Sequence, residues 1–527
     1  MGKKIFLLVI VAIVYLLYAR FILNPQLLRN FSLIDDGQLI KYGYYLRECL
    51  VDHRCISFKT QIIDVLPDVG LSRLGSWFLH GVLYQGPAIN APFQHSLRAF
   101  GFGLVMVLLL VLASLSAGSN IIAITLGAAV FITNYSFSEN IIRLGPIEPY
   151  MVIFLGIFSL LFLNLHRLSK KWRLPAISTL FFSLIYFLLI KEASIAILPI
   201  LLVVGVLFPL ILNRKVLIVI LIVSGGIYFL VKLLLRGTEL NINYAGNYNF
   251  DPLYIFQNAG YFLSLLSNSL NPFFEFSLIF VPLVLIFKKF RQRITDFHFI
   301  YWLLVFVSFT AILFPWRYVL DRYLLPSIFS FSIFISILTS RVMGEIEKKN
   351  KFNKKSTILF RLVAVFVLFN LFFRGASLNI AKTINYRNWF AVFTQFEADQ
   401  VSAIAKNKDG TVFINAEDTI DNWEIVYEIP LHLKFFYARE PKVARLETRV
   451  PSEGYLFTRS SLKPILNLET LATSPYSLID SKTYHVSQID PTAFRTSFES
   501  KPIQTLNNPP LLKEGFSYYW EIRKIVR

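Results

Sequence analysis

Long apolar stretches that recur at close to bilayer length constrain this chain more than any other feature. Such runs lie near 5–22, 97–116, 119–134, 147–165, 175–191, 194–212, 215–235, 272–288, 297–314, 323–340 and 356–373. A helix rising 1.5 Å per residue needs roughly 20 such residues to cross a hydrocarbon core about 30 Å thick. With 55% hydrophobic and only 16% charged residues in 527, the chain carries more apolar surface than a water-soluble core of that length can bury. The expected fold is an α-helical polytopic membrane protein with about eleven transmembrane helices, followed by a small soluble α/β or α+β domain. The third run is short, and the fifth and sixth meet at Lys191-Glu192. The basic start and apolar run of the first segment also fit a signal peptide, but no small-residue cleavage pattern follows it cleanly.

The charge supports the same reading. A net charge of +19 would suggest a nucleic-acid partner in a soluble protein. Here the bases gather beside alternate helix ends: Arg167, Lys170, Lys171 and Arg173; Arg214 and Lys215; Lys288, Lys289, Arg291 and Arg293; Arg341, Lys348, Lys349, Lys351, Lys354 and Lys355. Lys and Arg near helix ends are retained in the cytoplasm. That rule places the amino terminus inside and three polar segments outside, near 21–96, 134–149 and 236–271, with no nucleic acid implied. Within the third, Tyr254 to Leu270 is aromatic and weakly amphipathic, suited to the interface. After Arg374 the charged residues become frequent, so residues 1–373 read as the membrane domain, with its large outer loop, and 374–527 as an extracytoplasmic soluble domain. In the latter, 388–406 has helical periodicity, and 411–415, 424–427, 454–458 and 517–522 read as short strands. Cys49 and Cys55 share the first outer loop, where a disulfide would persist; both the bridge and two free thiols remain open.

Four outer-face signals could carry chemistry. Adjacent Asp35 and Asp36 follow the first helix, as a general base, a cation site or a solvated loop start. Glu148 stands between two prolines in Arg143-Leu-Gly-Pro-Ile-Glu148-Pro149, with Arg143 as its obvious partner. An ionisable residue at membrane level is costly unless paired or facing water. Lys191 and Glu192 form a charged pair between apolar runs that could hold an anionic headgroup or each other. Arg317 and Arg322 lie in Trp316-Arg-Tyr-Val-Leu-Asp-Arg-Tyr-Leu-Leu-Pro326 and could clamp a phosphate or belong to an interfacial belt. His80 and His95 read as structural, the Asn-x-Ser sequences at Asn30 and Asn134 as chance matches, and the seven histidines show no HExxH spacing.

In order and spacing, these motifs resemble the GT-C class of polyprenyl-phosphate-dependent glycosyltransferases, relatives of protein O-mannosyltransferases and of bacterial aminoarabinose and arabinosyl transferases. The likeness covers the membrane region: one helix, then a large outer loop headed by Asp35-Asp36, the Arg-x-Gly-Pro-x-Glu-Pro run at Glu148, Lys191-Glu192, and the Arg-Tyr-x-x-Pro stretch at Arg322 to Pro326. The resemblance implies transfer of a sugar from a polyprenyl-phosphate donor to an acceptor hydroxyl at the outer face, with inversion. It makes Asp35 or Asp36 the base, Glu148 a further catalytic carboxylate, and Arg143, Lys191, Arg317 and Arg322 the cations for the lipid phosphate. The implied partners are membrane lipid, the lipid-linked donor and a glycan, lipid or protein acceptor, in an inner or plasma membrane. A divalent metal is left open. The His-Pro-Pro signature of some O-mannosyltransferases is missing, so neither mannose nor a protein acceptor is implied. A lipid-linked sugar or polysaccharide transporter is the alternative, but it should show repeat-related broken helices and midplane charges. A wall-polymer ligase or polymerase would differ mainly in donor and acceptor.

Overall fold

The computed structural model describes residues 2–33, 36–58, 60, 74–84, 90–209, 214–234, 248–270, 272–286, 295–349, 354–406, 411–415, 420–438, 442–445, 453–460, 476–512 and 516–525. Asp35, the basic run Lys288 to Arg293, Lys351 and the segment 235–247 lie outside them.

Each of the eleven apolar runs is a helix. They are α1 (Gly2–Tyr18), α4 (Ala91–Ser116), α5 (Ile121–Ile132), α7 (Glu148–Asn164), α8 (Lys170–Leu188), α9 (Glu192–Leu207), α10 (Arg214–Leu234), α12 (Phe273–Ile286), α13 (Phe297–Ala311), α14 (Leu325–Lys349) and α15 (Lys354–Lys406). Between them the polar segments fold into α2 (Asp36–Val51), α3 (Leu74–Leu83), α6 (Tyr135–Ile142) and α11 (Pro252–Leu270). Among the described residues, six helices are long and apolar enough to cross a membrane unaided, or seven if α5 and α6, bent by 54°, form one span. The shorter ones, α9, α12 and α13, fall short of the hydrocarbon core and need a locally thinned bilayer or neighbouring helices to complete a crossing.

Burial separates the helices into a centre and a rim. In α14, 83% of the most apolar window is buried, against 28% in α1 and in α10. A row of fully buried serines, Ser327, Ser330, Ser332 and Ser336, lies on α14. Ser336 donates back to the Ser332 carbonyl at 2.9 Å, which satisfies its hydroxyl within the helix. Small side chains let backbones approach closely: a Cβ on Gly127 of α5 would overlap Ser336 and the Ser332 carbonyl. On the rim, Phe182, Ile222, Leu359, Leu362 and Phe366 are exposed, a surface compatible with lipid and not with water.

Asparagines start several helices by accepting from the first free amides. Asn120 accepts from Ala123 N at 3.0 Å, and the fully buried Asn134 accepts from Ser136 N at 2.9 Å. Asn134 is thus a helix cap inside the protein. In the first outer loop, Cys49 and Cys55 are joined by a disulfide.

At 53 residues, α15 is about 80 Å long at 1.5 Å per residue, far more than the bilayer core requires. It runs unbroken through 374 because no proline interrupts it; the change in composition there is a change of surroundings, not of conformation. Its distal half carries a five-stranded sheet of order β2-β1-β3-β5-β4. The strands are β1 (Val412–Asn415), β2 (Val443–Arg445), β3 (Gly454–Ser460), β4 (Tyr476–Val486) and β5 (Phe516–Ile525). β1 runs parallel to both neighbours, with Phe413 opposite Ala444 and Leu456; β3 and β4 flank β5 antiparallel. The parallel β1–β2 pair requires a crossover, supplied by α16 (Ile420–Tyr437). This corrects the strand expected at 424–427. The β-prone Ile425-Val426-Tyr427 belongs to a longer helical pattern that buries Ile429 and Leu433 in the sheet core.

The sheet core is built from Phe393, Phe396 and Ile404 of α15, Ile414, Phe457 and Ile522 of the strands, and Leu33 from the loop after α1. A second contact joins Ile380 and Ile384 to Phe494 and Phe498 of α17 (Pro491–Ser500), together with Ile22. Both clusters fix the sheet domain at the end of the bundle where the chain leaves α1.

Candidate functional site

At that same end, Glu148, Lys191, Arg322, Glu139 and Arg143 are brought together from three separate stretches of sequence. Glu148 begins α7, with Pro149 behind it; its fixed φ suits the first helical turn, where no amide donor is needed. The Glu148 carboxylate pairs with the ammonium of Lys191, whose backbone is extended immediately before α9, and the two side chains are 4% and 13% exposed. The same ammonium lies over the Tyr323 ring at 4.4 Å from its centroid. Arg322 stands against Tyr323 as well, at 5.2 Å, and acts on both Glu148 and Glu139.

Glu139, on α6, is buried and faces Arg143 and Arg322. Arg143 ends α6 and also acts on Tyr386 of α15. Asn140 ties the two halves, donating to the Arg322 carbonyl at 2.8 Å. Asp321 faces Lys382 of α15 across this group. Among the described residues, four cations, Arg143, Lys191, Arg322 and Lys382, therefore face three carboxylates, Glu139, Glu148 and Asp321. Glu139, Asp321 and Lys382 were not singled out as site residues from the sequence. Glu139 stood in the Ser138 to Pro149 run and, as an ionisable residue beside apolar neighbours, carried a usable signal; Lys382 carried none. Arg317 is exposed and, among the described residues, enters none of these contacts.

The cluster rests on a buried arginine. Arg98 lies in a π turn of α4, Leu97–Phe102, where the looser coil re-aims side chains. Its guanidinium donates to the Asn140 carbonyl at 3.1 Å and to the Pro146 carbonyl, and lies over Tyr150 at 5.2 Å. Arg98 thereby pins both ends of the turn that presents Glu148.

Asp36 starts α2 and is 1% exposed. Its Oδ2 accepts from Ser32 N at 2.8 Å. Its charge reaches Tyr84: burial first, then the Tyr150 phenol and the Asp36 carboxylate, push the Tyr84 hydroxyl well above its ordinary pKa. The His80 ring packs edge-on against both Tyr84 and Tyr150, with centroids 6.2 and 5.2 Å away, and Tyr150 is two residues from Glu148. His80 beside them is pushed down to about 3, chiefly by burial and further by Arg98, and is a neutral packing residue at physiological pH. Among the described residues, no three His, Cys, Asp or Glu side chains converge so that they could hold a metal ion.

The opposite end of the bundle is basic. Arg167 donates to the Ser116 carbonyl at 3.1 Å, Arg341 pairs with Asp296 at 2.5 Å, and Arg361 pairs with Glu347 at 2.8 Å. Lys170, Lys171, Arg173, Arg214 and Lys215 belong to the helix starts there.

No protein-family model and no curated protein matches the sequence. Among solved structures, the chain is similar to ArnT from Cupriavidus metallidurans bound to undecaprenyl phosphate, at 14% identity and a TM-score of 0.46, over 91% of this chain and 96% of that one. It is similar also to the same protein in the apo state, at 13% identity and a TM-score of 0.47, over 90% of this chain and 96% of that one.

Proposed function

We propose that this protein is a membrane glycosyltransferase that moves a sugar from a polyprenyl-phosphate donor to an acceptor hydroxyl on the outer face of the membrane, with inversion. The observation that carries this reading is the Glu148–Lys191 pair with Arg322 and Arg143 around it, a site where cations outnumber carboxylates at one end of a lipid-facing bundle. The basic opposite end supports a cytoplasmic placement for that end, and hence an outer placement for the site, the Cys49–Cys55 disulfide and the sheet domain.

The chemistry follows from charge. A carboxylate of the Asp35-Asp36 pair takes the acceptor's proton, and the hydroxyl oxygen attacks the anomeric carbon. The bond from that carbon to the phosphate oxygen breaks with its electron pair going to phosphate. A singly charged diester thus becomes a monoester with one more negative charge. Cations fixed in advance stabilise that charge more in the transition state than in the bound donor, which is what accelerates the step. Lys191, Arg322 and Arg143 have this role in the proposal. Glu148 holds the Lys191 ammonium in place.

Membranes containing the Asp35→Asn or Asp36→Asn protein, supplied with radiolabelled polyprenyl-phosphate sugar, should transfer no label although expression is unchanged. Full transfer by both variants would overturn the assigned base. A mass-spectrometric comparison of surface glycans with and without the gene identifies sugar and acceptor.

A further inference from the structure

Three fully or almost fully buried carboxylates, Asp36, Glu397 and Glu428, meet at the start of α2, and two of them belong to the part of the chain that carries the sheet. Glu397, near the distal end of α15, accepts through Oε2 from Leu33 N at 2.8 Å and from the Ser32 hydroxyl at 3.1 Å. Ser32 N is in turn the donor to Asp36. Glu428, on α16, accepts from Gly37 N at 2.5 Å through its own Oε2. A side chain at 37 would overlap that carboxylate, so only glycine admits the contact. The residues on both sides of the acidic pair are therefore held by carboxylates of another domain, more than 360 positions away in sequence.

Burying like charges together is costly unless donors or cations compensate. Here the compensation is visible. The first amides of α2 point their partial positive charge at the group. Lys41, one turn further along α2 and 9% exposed, faces Glu428; burial lowers its pKa first, and Glu428 partly restores it. His432 sits one turn after Glu428, neutral and directed at the Ser32 backbone. The helices α2 and α16 are further matched by Tyr44 against Phe435, with ring centroids 4.9 Å apart, and by Phe31 stacked on Phe436 at 5.6 Å. A fold that needed only to attach its sheet domain could have done so with the apolar contacts at Leu33 and Ile22; carboxylates bonded to the amides around Asp36 fix a conformation.

We infer that the sheet domain is a positioning device for the catalytic loop: Glu397 and Glu428 set the backbone of Ser32, Leu33 and Gly37, and through it the aim of Asp36. This rests on the proposed assignment of the Asp35-Asp36 pair as the base. Neither glutamate needs to touch substrate.

The test uses the full-length protein in detergent or nanodiscs, with amide hydrogen exchange at 28–40 and transfer from polyprenyl-phosphate sugar measured side by side. In Glu397→Ala and Glu428→Ala the amides of 32–37 should exchange at least about tenfold faster, as loss of a charge-assisted hydrogen bond implies. Exchange in the bundle should be unchanged, and kcat should fall with KM for the donor retained. Glu397→Gln keeps an acceptor oxygen and should recover most of both signals; Ser32→Ala removes one bond without disturbing the sheet core and should give a smaller fall in the same direction. Unchanged exchange at 32–37 in both alanine variants, or a raised KM with unchanged kcat, overturns the inference. Active Asp35→Asn and Asp36→Asn proteins alongside loosened Glu→Ala variants would show a different failure, in which the clamp exists but the loop is not the base.

Discussion

Lys191 reaches from the start of α9 to the Glu148 carboxylate at the start of α7, so two spanning helices are joined at one end of the bundle by a single, nearly buried ion pair. Removing one member of such a pair strips the other of its direct partner; with Arg322 still acting on Glu148, the cost of losing Lys191 is at most the roughly 3–5 kcal/mol of a fully uncompensated buried charge. Lys191→Ala should therefore lower the melting temperature in detergent as well as transfer. The double variant Glu148→Gln/Lys191→Met should regain most of the stability and none of the transfer. Recovery of both by the double variant would leave the pair with a structural role alone.

Arg322 acts on two carboxylates from one position. Arg322→Ala should reduce kcat/KM for the donor by about 10²-fold or more, in the range found for removal of one electrostatic stabiliser. Arg322→Lys should restore only part, since an ammonium lacks the planar fork. Arg317→Ala, altering an exposed side chain, should cost much less. Steady-state kinetics across the three variants decide between the two arginines.

His432 makes the junction between α2 and α16 sensitive to acid. Burial pushes its pKa down to about 4, below the ordinary value near 6.5 of an unfolded chain. The unfolded state then binds a proton that the folded state resists. The contribution is fully present above about pH 6.5 and is lost progressively as pH falls to about 4, by at most about 3 kcal/mol. Melting curves of the full-length protein from pH 4 to 8 should show this fall, and His432→Phe should flatten it.

The orientation can be read by labelling. Cysteines placed at the exposed Ser500, at the end of α17, and Lys171, at the basic end, should differ in intact cells: Ser500→Cys reacts with a membrane-impermeant maleimide and Lys171→Cys does not. The native thiols are joined as Cys49–Cys55 and give no background. The reverse pattern would invert the topology and remove the outer-face reading.

Hydropathy located the eleven long apolar runs, each of which is helical, because the bilayer demands long, uninterrupted apolar runs, and that demand is local in sequence. Burial within the bundle was not legible, since an apolar residue facing lipid and one facing α14 look alike. The sheet domain was read less well for the same reason that short strands are ambiguous: 424–427 has β-prone residues but is held as helix by Ile429 and Leu433 beyond it, and 476–486, the longest strand, was overlooked. Glu148, Lys191 and Arg322 were visible as charges beside apolar runs. Glu397 and Glu428 were not, because an acidic residue in a polar region is unremarkable until the fold carries it to the backbone of Leu33 or Gly37.

The length of α15 has a consequence for how the two halves of the molecule can diverge. A continuous helix is a shaft: inserting one residue into it rotates everything beyond by about 100° and advances it by 1.5 Å. Leu33 and Ile22 would then face the wrong side of the sheet domain. The contacts at Leu33 and Ser32 thus fix both the phase of this shaft and its length between bilayer and sheet.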